Sequence, residues 1–404
     1  MSGRAFLVVM DSAGIGGAPD AGQFYNGAVP DTGANTVGHI AAACLAGEAE
    51  EGRSGRLKVP TLTALGLGRA LELADGFDGH GLTGQVTGAW GAATEVSQGK
   101  DTPSGHWELA GVPVPWEWHI FPKTEPTFPP EVTARICELA GTDGILANRH
   151  ASGTAVIEAE GAAHLRTGWP ICYTSVDSVL QIAAHEEAFG LERLLTLCKD
   201  LAPMLHAMKV GRVIARPFLG DETAGFKRTA HRKDFAIAPP APTLCDVVSG
   251  AGRQVNAVGK IGDIFSMRGI DTVTKGPDAK LMQDLLALAR EAAPGSLTFA
   301  NFVEFDSDYG HRRDVSGYAR HLEWVDGELA RLLQLLGPED LLIVTADHGN
   351  DPTWVGTDHT RERVPVLCHG LGTRALGHVA FVDVAATVAD HLGVPPAGEG
   401  TSFR

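Results

Sequence analysis

An apolar run of strand length, Ala5–Met10, opens the chain, and similar runs recur toward its other end at 297–305, Leu341–Thr345 and 364–368. Each is short and nearly continuous in apolar residues, the pattern of strands buried on both faces of a parallel sheet. Between them the spacing becomes helical. Val315, Tyr318, Leu322, Val325, Leu329 and Leu332 share one helical face, and Phe381–Leu392 predicts a closing helix ended by Gly393 and two prolines. Strands alternating with helices predict an α/β core with a mainly parallel sheet between helices. The middle of the chain reads differently. Proline-rich seams at 112–130 and 236–242 bracket a helix starting near Pro130, a strand at Ile171–Thr174, a helix through 191–206 and a strand at 210–215. The expected organisation is a core domain in two segments, residues 1–117 and 239–404, carrying a smaller inserted α/β cap at 118–238. The length of 404 residues agrees, being too great for one compact core.

Composition narrows the function classes. The longest apolar runs fall far short of the roughly 20 residues that span a bilayer, so no membrane segment is expected. The first strand-like run follows the N-terminus without a basic leader and cleavage site, and the six cysteines are scattered without a CxxC pair. Together these predict buried thiols in a reducing cytoplasm. A net charge of −16 with no basic stripe excludes a general nucleic-acid role. Small anions remain possible partners where metal ions or local arginines bind them. No sequence pattern specifies an oligomeric state.

Chemistry-bearing residues follow the strand-like runs, at the edge where open α/β sheets bind ligands. TADHGND, residues 345–351, places Asp347 and His348 after the 341–345 run, and His359 lies eleven residues beyond His348 in a polar loop. A carboxylate beside an imidazole suits a divalent metal; an Asp capping a loop and a His packing in a core are the alternative. NFVEFDSDYGHRRD delivers Asp306 and His311, whose spacing of five suggests a loop and not one helical face. There the alternative is a turn followed by a solvated basic patch. Asp11 follows the first strand and precedes GIGG, whose glycines lack the spacing of a nucleotide-binding fingerprint. GKDTPSGHWE supplies Thr102 near a helix N-terminus, as a nucleophile toward phosphate or simply as a helix cap, a role Ser104 could equally fill.

Taken together, MDSAGIG, KDTPSGHWE, FDSDYGHRRD and TADHGND followed by His359 resemble the phosphopentomutase family of the alkaline-phosphatase superfamily, over nearly the whole chain. TADHGN alone is shared with cofactor-independent phosphoglycerate mutases, and that reaction, or another metal-dependent phosphohydrolysis, is the alternative function. YTSVDSVLQIAAHEE and VGRVIARPF in the cap resemble the phosphopentomutases and not the phosphoglycerate mutases. The resemblance implies an alkaline-phosphatase-like core and two Mn²⁺ ions per chain. Asp11, Asp347 and His348 would hold them on one side, and Asp306, His311 and His359 on the other, with Thr102 between as the phosphorylated residue. It further implies Ser175, Asp177, Arg212 and Lys260 around a pentose phosphate. Arg216 is an equal candidate on its own chemistry, since a guanidinium fork suits phosphate, or it pairs with a carboxylate of the cap. The implied reaction interconverts ribose 1-phosphate and ribose 5-phosphate, and their 2-deoxyribose equivalents. An activating sugar bisphosphate, such as glucose 1,6-bisphosphate, would charge the threonine. A metal-binding protein without turnover is the reading from a different class, and it needs no reactive hydroxyl.

Overall fold

A computed structural model describes residues 3–175 and 178–404. The chain forms two compact units, Met1–Pro115 with Pro239–Arg404, and Trp116–Ala238. The larger unit is built on eight strands in the order Thr272–Thr274, Val255–Val258, Leu297–Phe302, Ala5–Met10, Leu341–Thr345, Val364–His369, Ala89–Thr94, Arg374–Ala380. Neighbours run parallel, except that Val364–His369 is antiparallel to the strands on both sides of it. The fold is mixed α/β with a mainly parallel sheet, as the alternating pattern predicts.

The three central strands are completely buried, which accounts for their nearly continuous apolar runs. Their register decides where the chemistry goes. Ala5 lies opposite both Leu297 and Leu341, so the strands start level and their C-terminal ends emerge together at Met10, Phe302 and Thr345. On the helix Val315–Leu333, five of the six residues expected on the apolar face are buried; Val315, in the first turn, is only partly covered.

The strand expected at 297–305 stops at Phe302. Asp278 accepts the backbone N–H of Val303 and Glu304 at 3.2 and 3.1 Å, taking donors that a sheet neighbour would otherwise bond. The chain then enters a wide helical turn, Phe305–Gly310, in which the N–H of His311 donates to the carbonyl of Asp306 at 2.9 Å. Asp306 and His311 therefore share one turn, and the loop expected from their spacing is corrected: a wide turn closed between residues five apart brings both to the same side. Several strands lack a sequence signature because they are short or carry small and polar residues, among them Thr272–Thr274 and the largely exposed edge strand Arg374–Ala380.

The smaller unit has its own six-stranded mixed sheet, ordered Lys233–Ala236, Arg212–Asp221, Val179–His185, Ile171–Thr174, Leu146–His150, with Gly225–Arg228 also paired to Arg212–Asp221. Helices Pro130–Ala140 and Leu191–Ala207 contribute to one apolar cluster with Phe121 and Phe128. Helix Gly153–Thr167 contributes to another with Tyr173 and Phe218. The strand expected at 210–215 instead runs Arg212–Asp221, because its later residues pair with Val179–His185 and turn back through Gly225–Arg228.

Candidate metal centre

Asp11 directly follows Met10, Asp347 follows Thr345 by two residues, and Asp306 lies in the wide turn beyond Phe302, so three carboxylates converge at one edge of the sheet. Asp306, His348 and His359 offer ligand atoms within 4.8 Å of one another, and so do Asp11, Asp347 and His348. His348 Nε2 lies 3.3 Å from Asp347 Oδ2 and 3.6 Å from Asp11 Oδ1, and His359 Nε2 lies 3.4 Å from Asp306 Oδ1. His311 joins through Asp306 Oδ2, 3.1 Å from its Nε2. The imidazole of His348 thus stands between the two carboxylate groups rather than belonging to one.

Backbone carbonyls aim the rings. Thr357 O accepts from His311 Nδ1 at 2.7 Å and Gly349 O from His348 Nδ1 at 3.1 Å, which leaves each Nε2 facing the carboxylates. Burial depresses the pKa of His348 to about 4, so its ring is neutral and its Nε2 lone pair is available. Burial, reinforced by repulsion from Asp347 and Asp306, pushes Asp11 well above the usual carboxylate range. Asp306 moves the other way: burial would raise it, but His359 and His311 hold it well below. Asp11 Oδ1 is buried and finds no hydrogen-bond donor among the described residues. Three buried carboxylates, two of them with an oxygen that accepts no hydrogen bond among the described residues, gathered around the neutral His348 ring are a donor set that fits divalent cations.

Thr102 begins the helix Thr102–Leu109. Asp101 caps that helix, accepting from Ser104 N at 3.1 Å and from Ser104 Oγ at 3.0 Å. The capping role open to Thr102 or Ser104 is therefore taken by the preceding aspartate. The half-buried Thr102 hydroxyl instead lies 3.3 Å from His348 Nε2, between a helix N-terminus and the metal-type donors. Gly105 permits this approach, since a Cβ there would sit 2.1 Å from the carbonyl oxygen of Asp347.

Supporting residues passed over in the sequence lie beside these groups. Ser12 adopts a left-handed backbone, φ 69°, and its N–H donates to Asp347 Oδ1 at 3.0 Å, so the turn after Asp11 also orients the second aspartate. Asn350 donates to Asp306 Oδ1 at 2.7 Å and accepts from Arg313, which also donates to the carbonyls of Gly310, Gly356 and Asp358. Arg313 is a strap over the loops of His311 and His359, not part of a solvated patch. The positive φ of Ser12 has no sequence signature in a residue that is not glycine.

Residues 3–396 match the family model of the metalloenzyme superfamily. The chain is 55% identical to a phosphopentomutase of Methylorubrum extorquens, over 99% of this chain and 100% of that one. It is 52% identical to a phosphopentomutase of Rhizobium rhizogenes over 99% of both. The chain belongs to the phosphopentomutase family. It is accordingly an enzyme whose family uses divalent metal. Among solved structures it is similar to a phosphoglycerate mutase of Leishmania mexicana, at 13% identity and a TM-score of 0.46, over 99% of this chain and 97% of that one.

The other residues implied by resemblance to the phosphopentomutases fall in both units. Lys260 is exposed at the start of the short helix Ile261–Ile264, in the larger unit, close enough for its charge to act on Asp11. Ser175 follows the strand Ile171–Thr174 in the smaller unit. Arg212 pairs across the sheet with Val179, and its N–H donates to Ser178 O. Asp177 lies outside the described residues. Arg212 Nη1 is 3.8 Å from Asp234 Oδ2, while Arg216 donates to Gln181 Oε1 at 3.0 Å. Arg216, Arg228 and Arg232, with Pro217 and Thr229, line a cavity of about 390 Å³.

Proposed function

We propose that this chain is a phosphopentomutase that interconverts ribose 1-phosphate and ribose 5-phosphate, and the 2-deoxyribose equivalents, through phosphothreonine at Thr102. The observation that carries this reading is the Thr102 hydroxyl, left uncapped by its own helix and held 3.3 Å from the imidazole that stands between the two carboxylate groups. A metal site without turnover needs no such hydroxyl. The full-length identity to named phosphopentomutases supports the substrate class.

Asp11, Asp347 and His348, with Asp306, His311 and His359, would hold two Mn²⁺ ions; mixed imidazole and carboxylate donors suit Mn²⁺ better than Mg²⁺ or Ca²⁺. Bound there, the ions supply charge neutralisation of the phosphoryl group and activation of the threonine hydroxyl. The chain's own residues do the rest. The first turn of the Thr102–Leu109 helix presents N–H groups to the phosphoryl oxygens. A sugar hydroxyl, at C1 or C5, loses its proton and bonds to phosphorus as the bond from phosphorus to Thr102 Oγ1 breaks, and the threonine oxygen takes up a proton. The resulting bisphosphate turns around and gives its other phosphate back to Thr102. A sugar bisphosphate such as glucose 1,6-bisphosphate charges the threonine initially. The resemblance assigns the sugar and its non-reacting phosphate to Ser175, Asp177, Arg212 and Lys260.

The test is intact mass of the protein after incubation with a sugar bisphosphate, combined with turnover. A species heavier by one phosphoryl group, mapped to Thr102, is expected, and exhaustive chelation should abolish turnover. Thr102→Ala should lose mutase activity and the adduct while keeping fold and metal content, and Thr102→Ser should keep some of both. Native-rate interconversion by the alanine variant would overturn the phosphothreonine mechanism.

A further inference from the structure

His106 and Asn301 are both completely buried, and neither is among the residues that resemblance assigns to the site. Asn301 lies on the strand Leu297–Phe302, opposite Val9 on the strand that ends before Asp11. Its Nδ2 is 2.9 Å from Asp11 Oδ2 and 3.2 Å from His106 Nε2. A primary amide has two N–H groups, and here each has its own acceptor. Turning the amide over would put its oxygen against the Asp11 carboxylate, so charge decides its orientation. His106 Nε2 must then accept, and the ring carries its proton on Nδ1.

That proton has the Thr102 carbonyl as its acceptor and a carboxylate oxygen of Asp347 close by. Nδ1 is 2.9 Å from the backbone carbonyl of Thr102 and 3.1 Å from Asp347 Oδ2. The ring is stacked on Phe299, centroids 6.0 Å apart and planes 25° apart, so it has little freedom to tilt. A chain of donors therefore runs from Asp11 through Asn301 and His106 to the first turn of the Thr102 helix, and the same Nδ1 lies within ion-pair distance of Asp347. We propose that His106 and Asn301 are positioning residues: the Asn301 amide sets the His106 tautomer, and the Nδ1–H so placed holds the Thr102 turn in register with the Asp347 carboxylate. The opposite tautomer would turn a lone pair toward two oxygens and push the threonine's turn away from Asp347. This role rests on reading Thr102 as the phosphate carrier and the three aspartates as metal ligands.

The first measurement needs no turnover. In the metal-free native protein, the ¹⁵N shifts of the His106 ring, assigned by loss of the signal in His106→Asn, should report protonation at Nδ1; protonation at Nε2 would overturn the proposal. In Asn301→Leu the ring should lose its single tautomer, Mn²⁺ affinity measured by electron paramagnetic resonance should fall about 10–100-fold, and kcat should fall at least about tenfold with little change in KM. His106→Asn, which keeps an amide donor near the Nδ1 position, should retain more of both properties than His106→Gln, which reaches the Nε2 position instead. Equal loss in the two, or native Mn²⁺ affinity and kcat in Asn301→Leu, would leave the pair with only a packing role and sink the idea. If the protein proves to have no mutase turnover at all, the tautomer and the Mn²⁺ affinity still decide this inference separately.

Discussion

Asp340 accepts from the backbone N–H of Arg4 at 2.9 Å, from Arg4 Nε at 3.1 Å and from Gly337 N at 2.8 Å. The two residues stand at the starts of the central strands Leu341–Thr345 and Ala5–Met10, at the end of the sheet opposite the metal-type donors. Burial would raise the pKa of Asp340, but these donors and the Arg4 guanidinium outweigh it and hold the carboxyl below its usual range. A carboxyl depressed in the folded state adds stability that is present above its unfolded pKa and is lost as pH falls through the folded value. Asp340→Asn should therefore cost about 1–2 kcal/mol at neutral pH, the scale of hydrogen bonds to a charged group at a partly open site. That deficit should shrink as pH drops below about 4. Thermal unfolding of both proteins across pH checks this, and a deficit unchanged down to pH 2 would contradict it; kcat at neutral pH should be native.

At the scale of elements, the helix Thr102–Leu109 is held by more than its cap. Glu108 reaches back to the N–H groups of Val96 and Ser97 and to Ser97 Oγ, tying the helix to the segment that leads into it. Arg361 holds that segment from the other side. Its guanidinium donates to Glu95 Oε2 at 2.5 Å, to the carbonyls of Glu95 and Gly99 at 2.7 and 2.6 Å and to both oxygens of Asp20, while the residue is only 2% exposed. Arg361 lies two residues beyond His359, so the same side chain ties the His359 segment to the approach to Thr102. Breaking a buried pair from one side strands the partner charge. Arg361→Met should cost about 3–5 kcal/mol of stability, and adding Glu95→Gln should recover part of that loss. Chemical denaturation of the single and double variants measures the coupling, and additive effects would show that the two side chains act independently.

Over the whole molecule, a net charge of −16 must be reconciled with an anionic substrate. Positive charge is concentrated locally in the smaller unit, where three arginines line one cavity and Arg212 stands opposite Val179 in the sheet. On the proposed mechanism a bisphosphate that turns around would meet such contacts in both orientations, so their loss would fall on binding and retention rather than on phosphoryl transfer itself. Arg212→Ala should raise KM for ribose 5-phosphate by roughly 10–100-fold, the equivalent of a lost charge-assisted bond, and release ribose 1,5-bisphosphate. Thr102 should still be phosphorylated by an activating bisphosphate. Steady-state kinetics with product analysis tests this; unchanged KM with no free bisphosphate would mean that Arg212 serves the sheet of the smaller unit through Asp234.

Much of this protein was legible in the sequence alone. The runs Ala5–Met10 and Leu341–Thr345, the helix Phe381–Leu392 and the mainly parallel α/β class follow from apolar periodicity, because burial on both faces of a sheet strongly favours apolar residues. Asp11, Asp306 and Asp347 stand out because each follows such a run, and DTPS reads as a helix start. Which residue caps that start was not legible: Asp101, Thr102 and Ser104 are all good caps, and only the folded backbone put the Asp101 carboxylate on Ser104 N and left Thr102 free. Nor could spacing show that Asp306 and His311 share one wide turn, since that turn forms where Asp278, distant in sequence, takes the N–H groups that would have continued the strand. The chain from Asp11 through Asn301 to His106 joins residues of three separate segments, and a hydrogen bond between segments depends on register across the sheet. Local sequence determined which elements form and which residues stand at their ends. Tertiary structure decided which of those ends meet, because level strand starts and a close helix approach are properties of the packed sheet and not of any one segment.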